Sequence, residues 1–243
     1  MDKPTLLIQG SSWTVGAYKK STTVNCDELI PGGIAELLAE HFTVTNISVQ
    51  DDFNLGSSWR LKEHLKTNGY DKILICQNDA LMDVNVLTTT SKDWAAGFDF
   101  VLQELIDNNI NTITQYVHYA LNKYYSQLPP GTYVFAGPSL VNDALAYNNN
   151  LHPIQPDWTS AVIPGFVPSY IYNSTTLDTV TQLLLELFPS NATAIKQEFI
   201  QYWEDATRVT QAWQDNLDLF AYAHPSPLAN KIYYKQLLQH LLN

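Results

Sequence analysis

Short apolar runs alternating with long segments of helical period constrain this chain more than any other feature. Residues 5–9, 42–49, 72–76 and 132–136 are such runs, and each reads as a strand. Between them, residues 33–40, 55–65 and 94–110 carry apolar side chains at helical spacing, as with Phe98, Val101, Leu102 and Leu105. A crossover of that length lets successive strands pair in parallel. The run Lys72-Ile73-Leu74-Ile75-Cys76 is apolar enough to be covered on both faces, as a central parallel strand must be.

The rest of the chain extends the same scheme. The helical pattern resumes after a break at Asn108-Asn109, with Ile113, Tyr116, Val117, Ala120, Leu121 and Tyr124, and Pro129-Pro130-Gly131 stops it. Residues 138–158, rich in Asn and Pro, read as an irregular excursion, and residues 160–163 as a fifth strand. Amphipathic helices are expected over 177–187 and 192–213, and Pro227 opens a last one carrying Leu228, Ile232, Leu237 and Leu241. Without a repeat or a linker, residues 1–243 are expected to form a single α/β domain, a parallel sheet of about five strands wrapped by helices.

Composition removes several classes of function. Thirteen Lys and Arg against 24 Asp and Glu give a formal charge of −11, which repels a phosphate backbone, so no nucleic-acid partner is expected. Two cysteines, Cys26 and Cys76, have neither the number for a disulfide scaffold nor the Cys-x-x-Cys spacing of zinc or redox sites. The histidines at 41, 64, 118, 152 and 240 show no metal-ligand spacing, so neither a metal nor another cofactor is expected. No signal-peptide pattern follows Met1, and no apolar run approaches the ~20 residues of a membrane span. A soluble, cytoplasmic protein without a membrane partner is the expectation.

In open parallel sheets ligands bind beyond the carboxyl ends of the strands. Gly10-Ser11-Ser12-Trp13-Thr14-Val15-Gly16 follows the first strand, Asn54-Leu55-Gly56-Ser57-Ser58 comes a short way after the second, and Gln77-Asn78-Asp79 follows the third. His224-Pro225 precedes the last helix. Taken together, these are the parts for acyl transfer. A serine hydroxyl needs a base to remove its proton, and the tetrahedral intermediate needs fixed N–H donors for its oxyanion. Ser12 and His224 fill the first two roles, and donors at Ser12, Gly56 and Asn78 the third. Taken singly, each has a plainer reading: Ser12 as a helix cap, Asn78 as an Asx turn, Gly56 as a tight bend, and His224 as a residue ahead of a helix.

The order of these segments resembles the SGNH (GDSL-type) hydrolases. Gly10-Ser11-Ser12-Trp13-Thr14-Val15-Gly16 resembles that family's Gly-Asp-Ser-x-Thr-x-Gly block, Gly56 the glycine of its second block, Asn78 the asparagine of Gly-x-Asn-Asp, and His224 the histidine of Asp-x-x-His. The resemblance implies a flavodoxin-like three-layer α/β/α sandwich and ester hydrolysis through an acyl-serine, on small or carbohydrate-linked esters. Three positions depart from the pattern: Ser11 stands for the block's aspartate, Cys76 for the glycine before Asn78, and Ala221 for the catalytic Asp.

The last departure matters most, because the acid orients the imidazole and its loss in a serine protease triad costs about 10⁴ in turnover. A backbone carbonyl near Ala221 could take its place, leaving a Ser-His dyad. Asp218 could reach the ring if residues 219–223 bulge, and Asp215 is more distant. The competing reading is a scaffold that binds without hydrolysing, with Trp13, Trp59 and Tyr222 lining an aromatic cleft. Dinucleotide, P-loop and Gly-x-Ser-x-Gly patterns are absent.

Overall fold

The computed structural model describes residues 2–19, 29–50, 53–84, 94–137, 139–221 and 224–243, with 94–100 described by backbone alone. Five strands form one parallel sheet: β1 (Thr5–Gln9), β4 (Thr43–Asn46), β5 (Lys72–Gln77), β6 (Tyr133–Ala136) and β7 (His152–Pro153), in the order β4-β1-β5-β6-β7. Two small antiparallel pairs lie outside it, β2 (Ala17–Tyr18) with β3 (Leu29–Ile30) and β8 (Phe220–Ala221) with β9 (His224–Pro225). Among the sheet strands the second in sequence flanks the first on one side and the third flanks it on the other. The chain therefore reverses its direction of travel across the sheet between β1 and β5, and that reversal opens a crevice at their carboxyl ends.

Alternation along the strands makes the three layers. Leu6, Ile8, Leu74, Cys76 and Phe135 point to one face, against α2 (Ile34–Leu38), α7 (Trp158–Val162) and α10 (Pro227–Leu242). Leu7, Ile75, Val134 and Ala136 point to the other, against Leu61 of α3 (Asn54–Leu65), Tyr124 and Tyr125 of α5 (Ile113–Tyr125) and Ala146 of α6 (Asp143–Asn148). α5 also enters a second apolar cluster with α4 (Trp94–Asp107), α8 (Ser174–Leu187) and α9 (Ala192–Asp215). The central strands β1, β5 and β6 are thus buried on both faces and correspondingly apolar, whereas the edge strand β4, Thr-Val-Thr-Asn, has no buried residue.

Two expectations fail between residues 138 and 163. The fifth strand is His152–Pro153, inside the stretch read as irregular, and α6 lies there too. Residues 160–163, read as a strand, fall in and just after α7. β7 escaped notice because it is only two residues long and ends in proline. An edge strand tolerates proline, since its missing N–H can face away from the ladder. Trp158 and Val162, both buried and four residues apart, place α7 on the sheet with a helical period that outweighs the β-branched composition of the segment. The break at Asn108-Asn109 is real: Asn109 has a φ of 50°, and α4 ends just before it. Among the described residues no helix is long and apolar enough to cross a membrane, and no cluster of three His, Cys, Asp or Glu could hold a metal ion. Cys26 lies outside the described residues, whereas Cys76 is buried in the sheet.

Candidate active site

α1 (Ser12–Val15) begins directly beyond β1 and the Gly10-Ser11 turn, at the crevice between β1 and β5. Gly10 is required there, because a Cβ would lie 2.5 Å from Thr14 Oγ1 and 2.7 Å from Cys76 Cβ. At the position where the resembled block has glycine, Cys76 therefore fills space that Gly10 leaves open. The turn is fixed from both sides: Val49 N–H donates to Gly10 O at 3.1 Å, and Asn46 Nδ2 to Thr14 O at 2.7 Å. Thr14 N–H and Thr14 Oγ1 both donate to Ser11 O, at 2.9 and 3.0 Å.

Ser11 reaches across the crevice. Its hydroxyl donates to Asn78 Oδ1 at 2.7 Å, joining the segment after β1 to the segment after β5. Asn78 N–H in turn donates to Asn54 Oδ1 at 2.9 Å, and Asn54 Nδ2 donates to the Asp79 carbonyl at 3.1 Å. The Asn78 carbonyl accepts from Ser139 Oγ at 3.0 Å. Asn54 opens α3, so this chain of bonds brings the helix start that carries Gly56 beside Asn78. Gly56 is the third residue of α3, within the first turn, whose amides have no acceptor in the helix itself. Its surroundings are tied down: Leu55 N–H donates to Asp83 Oδ1 at 3.0 Å, and Gln9 Nε2 of β1 to Ser57 Oγ at 2.9 Å.

Ser12 is the first residue of α1 and is 8% exposed. Its hydroxyl makes no hydrogen bond with any described residue, whereas the sequence reading expected one to His224. The β8–β9 pair carrying His224 packs on α1 and β2, and the Tyr18 ring stacks on the His224 ring with centroids 4.4 Å apart. His224 is half-buried. Across the ladder its partner is Ala221.

Asp218 lies further along, in the helical turn that precedes β8. It is exposed, and its carbonyl accepts from Ser226 Oγ at 2.8 Å. Residues 220 and 221 pair regularly with 225 and 224, and Ser226 N–H donates to Leu219 O at 2.9 Å. Residues 222 and 223, at the tip of the loop invoked to bring Asp218 to the ring, lie outside the described residues.

The proposed aromatic cleft needs correction. Trp13 is buried, edge-on to Trp158 at 5.2 Å and against Trp213 and Phe220 at 6.2 and 6.0 Å, so it props the turn from below. Trp59 is exposed on α3, and Tyr222 lies outside the described residues. The sequence reading missed Ser11, Asn54 and Tyr18 as neighbours of the site. Ser11 and Asn54 were in the quoted segments, but no spacing rule marks a side chain that bridges two loops.

Asp79 is fully buried behind Asn78. It accepts from Leu81 N–H at 2.7 Å, Tyr172 N–H at 2.7 Å and Asn173 N–H at 2.9 Å. Burial outweighs these amides and pushes its carboxyl up to about 6. Through Asp79 the segment carrying Asn78 is fastened to the start of α8.

No protein-family profile matches the chain, and neither does any curated protein. Solved structures are similar over nearly its whole length. A candidate GDSL-like lipase from Parabacteroides merdae is 15% identical, with 98% of this chain and 96% of that one covered at a TM-score of 0.41. The esterase EstA from Pseudoalteromonas sp. is 14% identical, with 99% and 100% covered and a TM-score of 0.37. An acetylxylan esterase, Axe2, from Geobacillus stearothermophilus is 12% identical, with 99% and 95% covered and a TM-score of 0.38. Likenesses this distant say nothing of what this chain binds.

Proposed function

We propose that the protein is a serine ester hydrolase of the SGNH type, acting on small or carbohydrate-linked esters without a metal or cofactor. The observation that carries this reading is the Ser11–Asn78–Asn54 chain of hydrogen bonds at the β1/β5 crevice, beside Ser12. With Asn78 Oδ1 held by the Ser11 hydroxyl, the amide has a fixed orientation, and its Nδ2–H is the group the oxyanion requires. Ser11 thereby gains a role in a position where the resembled block carries aspartate.

In the proposed reaction Ser12 Oγ attacks the ester carbonyl carbon while His224 takes the hydroxyl proton. The resulting oxyanion accepts from Ser12 N–H, Gly56 N–H and Asn78 Nδ2–H. Collapse breaks the carbonyl–alkoxy bond, and the alcohol leaves with the proton held by His224. Water, deprotonated by His224, then attacks the acyl-serine and releases the carboxylate and Ser12. In this reading the Ser12–His224 hydrogen bond forms in the complex with substrate, as catalytic bonds often tighten only there.

A dyad oriented by a backbone carbonyl near Ala221 fits the regular β8–β9 register better than a triad through Asp218. Tyr18, stacked on the imidazole, restricts its rotation in either case. In the dyad, Asp218→Asn keeps kcat within about threefold of wild type, whereas a triad would lose on the order of 10⁴. Ala221 also favours a second reading, a protein that binds an ester or glycan without turnover. Hydrolysis of an aryl acetate separates the two: wild type turns over, while Ser12→Ala and His224→Ala fall to background. Equal rates in all three would discard the enzymatic reading.

A further inference from the structure

Outside the crevice, α9 and the start of α8 enclose an open groove of about 280 Å³. Its floor is one stripe of α9, on which Trp203, Thr207, Gln211 and Gln214 recur at helical spacing, and Tyr172 and Ser174 form the opposite wall. Trp203 is 43% exposed, and its ring is braced by Phe199 with centroids 5.5 Å apart. Tyr172 is fixed edge-on to Trp213 at 5.8 Å. The groove therefore presents a braced aromatic surface.

The polar side chains that line it are all neutral. In a chain with 24 acidic and 13 basic residues, no lining side chain is charged. Thr207 Oγ1 donates to Trp203 O at 2.8 Å, and Gln211 Nε2 to Asp215 Oδ1 at 2.8 Å, which leaves the hydroxyl lone pairs and the Gln211 carbonyl as acceptors. The Ser174 hydroxyl and the Gln214 amide make no side-chain hydrogen bond among the described residues and can donate.

We infer that this groove is a binding site for a neutral oligosaccharide. A pyranose ring has an apolar C–H face and a rim of hydroxyls, which match a braced indole edged by amides and hydroxyls. An ionic ligand would find no counter-charge, and an acyl chain would strip water from the Gln and Thr groups without replacing their hydrogen bonds. Tyr172 links the groove to the crevice: its N–H bonds Asp79, next to Asn78, and its ring touches Trp213, which packs on Trp13, next to Ser12. A glycan held here is connected, through the buried Trp213 and Trp13 rings, to the turn that carries the proposed nucleophile. That last step rests on the esterase reading, whereas glycan binding in the groove does not.

The test is native electrophoresis through gels containing hydroxyethyl cellulose, galactomannan, xylan, starch or the anionic polygalacturonate, run on wild type, Ser12→Ala, Trp203→Ala and Gln214→Ala. At least one neutral polymer is expected to slow wild type and Ser12→Ala equally. Trp203→Ala should weaken that retardation at least tenfold, and Gln214→Ala severalfold, with circular dichroism confirming that both variants are folded. No retardation by a neutral polymer, retardation by polygalacturonate alone, or equal retardation of folded Trp203→Ala would overturn the inference. Binding without ester turnover would leave the groove standing and remove only the esterase reading.

Discussion

Two side chains near the crevice bear on the account at the residue scale. Ser11→Ala deletes the hydroxyl that holds Asn78 Oδ1. The account expects kcat to fall about tenfold with KM little changed, because the lost bond orients a group needed chiefly in the transition state. The change in stability should be only about 1 kcal/mol, the usual net worth of one hydrogen bond. Steady-state kinetics and a melting curve check both. Gly137→Ala acts the other way: a Cβ would meet the Trp13 ring at 2.6 Å, and overpacking of this kind costs about 1–3 kcal/mol. Its melting temperature should fall by several degrees, with kcat falling too as Trp13 pushes on the Ser12 turn. The placement of Ser12 after β1, Asn78 after β5, Gly56 in the first turn of α3 and His224 ahead of α10 was legible in the sequence, because each adjoins a recognisable strand or helix. The bonds of Ser11, Asn54 and Tyr18 were not, because they depend on how loops distant in sequence meet in space.

Among the elements, those with a long apolar period were legible and the short ones were not. α3, α5 and α9 span enough turns for a stripe of buried residues to declare itself, and β1 and β5 are continuous apolar runs. β7, β8 and β9, at two residues each, span no more than one period of any pattern. They are specified by what they pair with. The β8–β9 pair that carries His224 is anchored at its base by Ser226, whose Oγ donates to Asp218 O and accepts from Ala229 N–H at 3.3 Å as the cap of α10. Ser226→Ala should cost about 1 kcal/mol, the worth of a lost N-cap. For a chain of this size that lowers the melting temperature by about 2–4 °C, which scanning calorimetry resolves.

Across the whole molecule, stability should fall as pH rises above the ordinary carboxylate range. Burial pushes Asp79 up to about 6 and Asp157 up to about 7, so the folded chain holds protons that the unfolded chain has released above its ordinary carboxylate range. That contribution is full below about pH 4 and is lost as pH rises through 6 for Asp79 and 7 for Asp157, with a slope approaching ~1.4 kcal/mol per unit for each group. Asp157→Asn retains an acceptor for Val141 N–H, which bonds Asp157 Oδ1 at 3.2 Å, and should flatten the upper part of the curve. Melting temperatures measured from pH 4.5 to 7.5, on wild type and Asp157→Asn, would display the trend. The predictions on activity presume that Ser12 is the nucleophile, and the most direct test is labelling of the folded protein by a fluorophosphonate, read by peptide mass spectrometry. A single adduct on Ser12 is expected, lost in Ser12→Ala and strongly slowed in His224→Ala. An unlabelled Ser12 in folded wild-type protein, or an adduct on another serine, would contradict it.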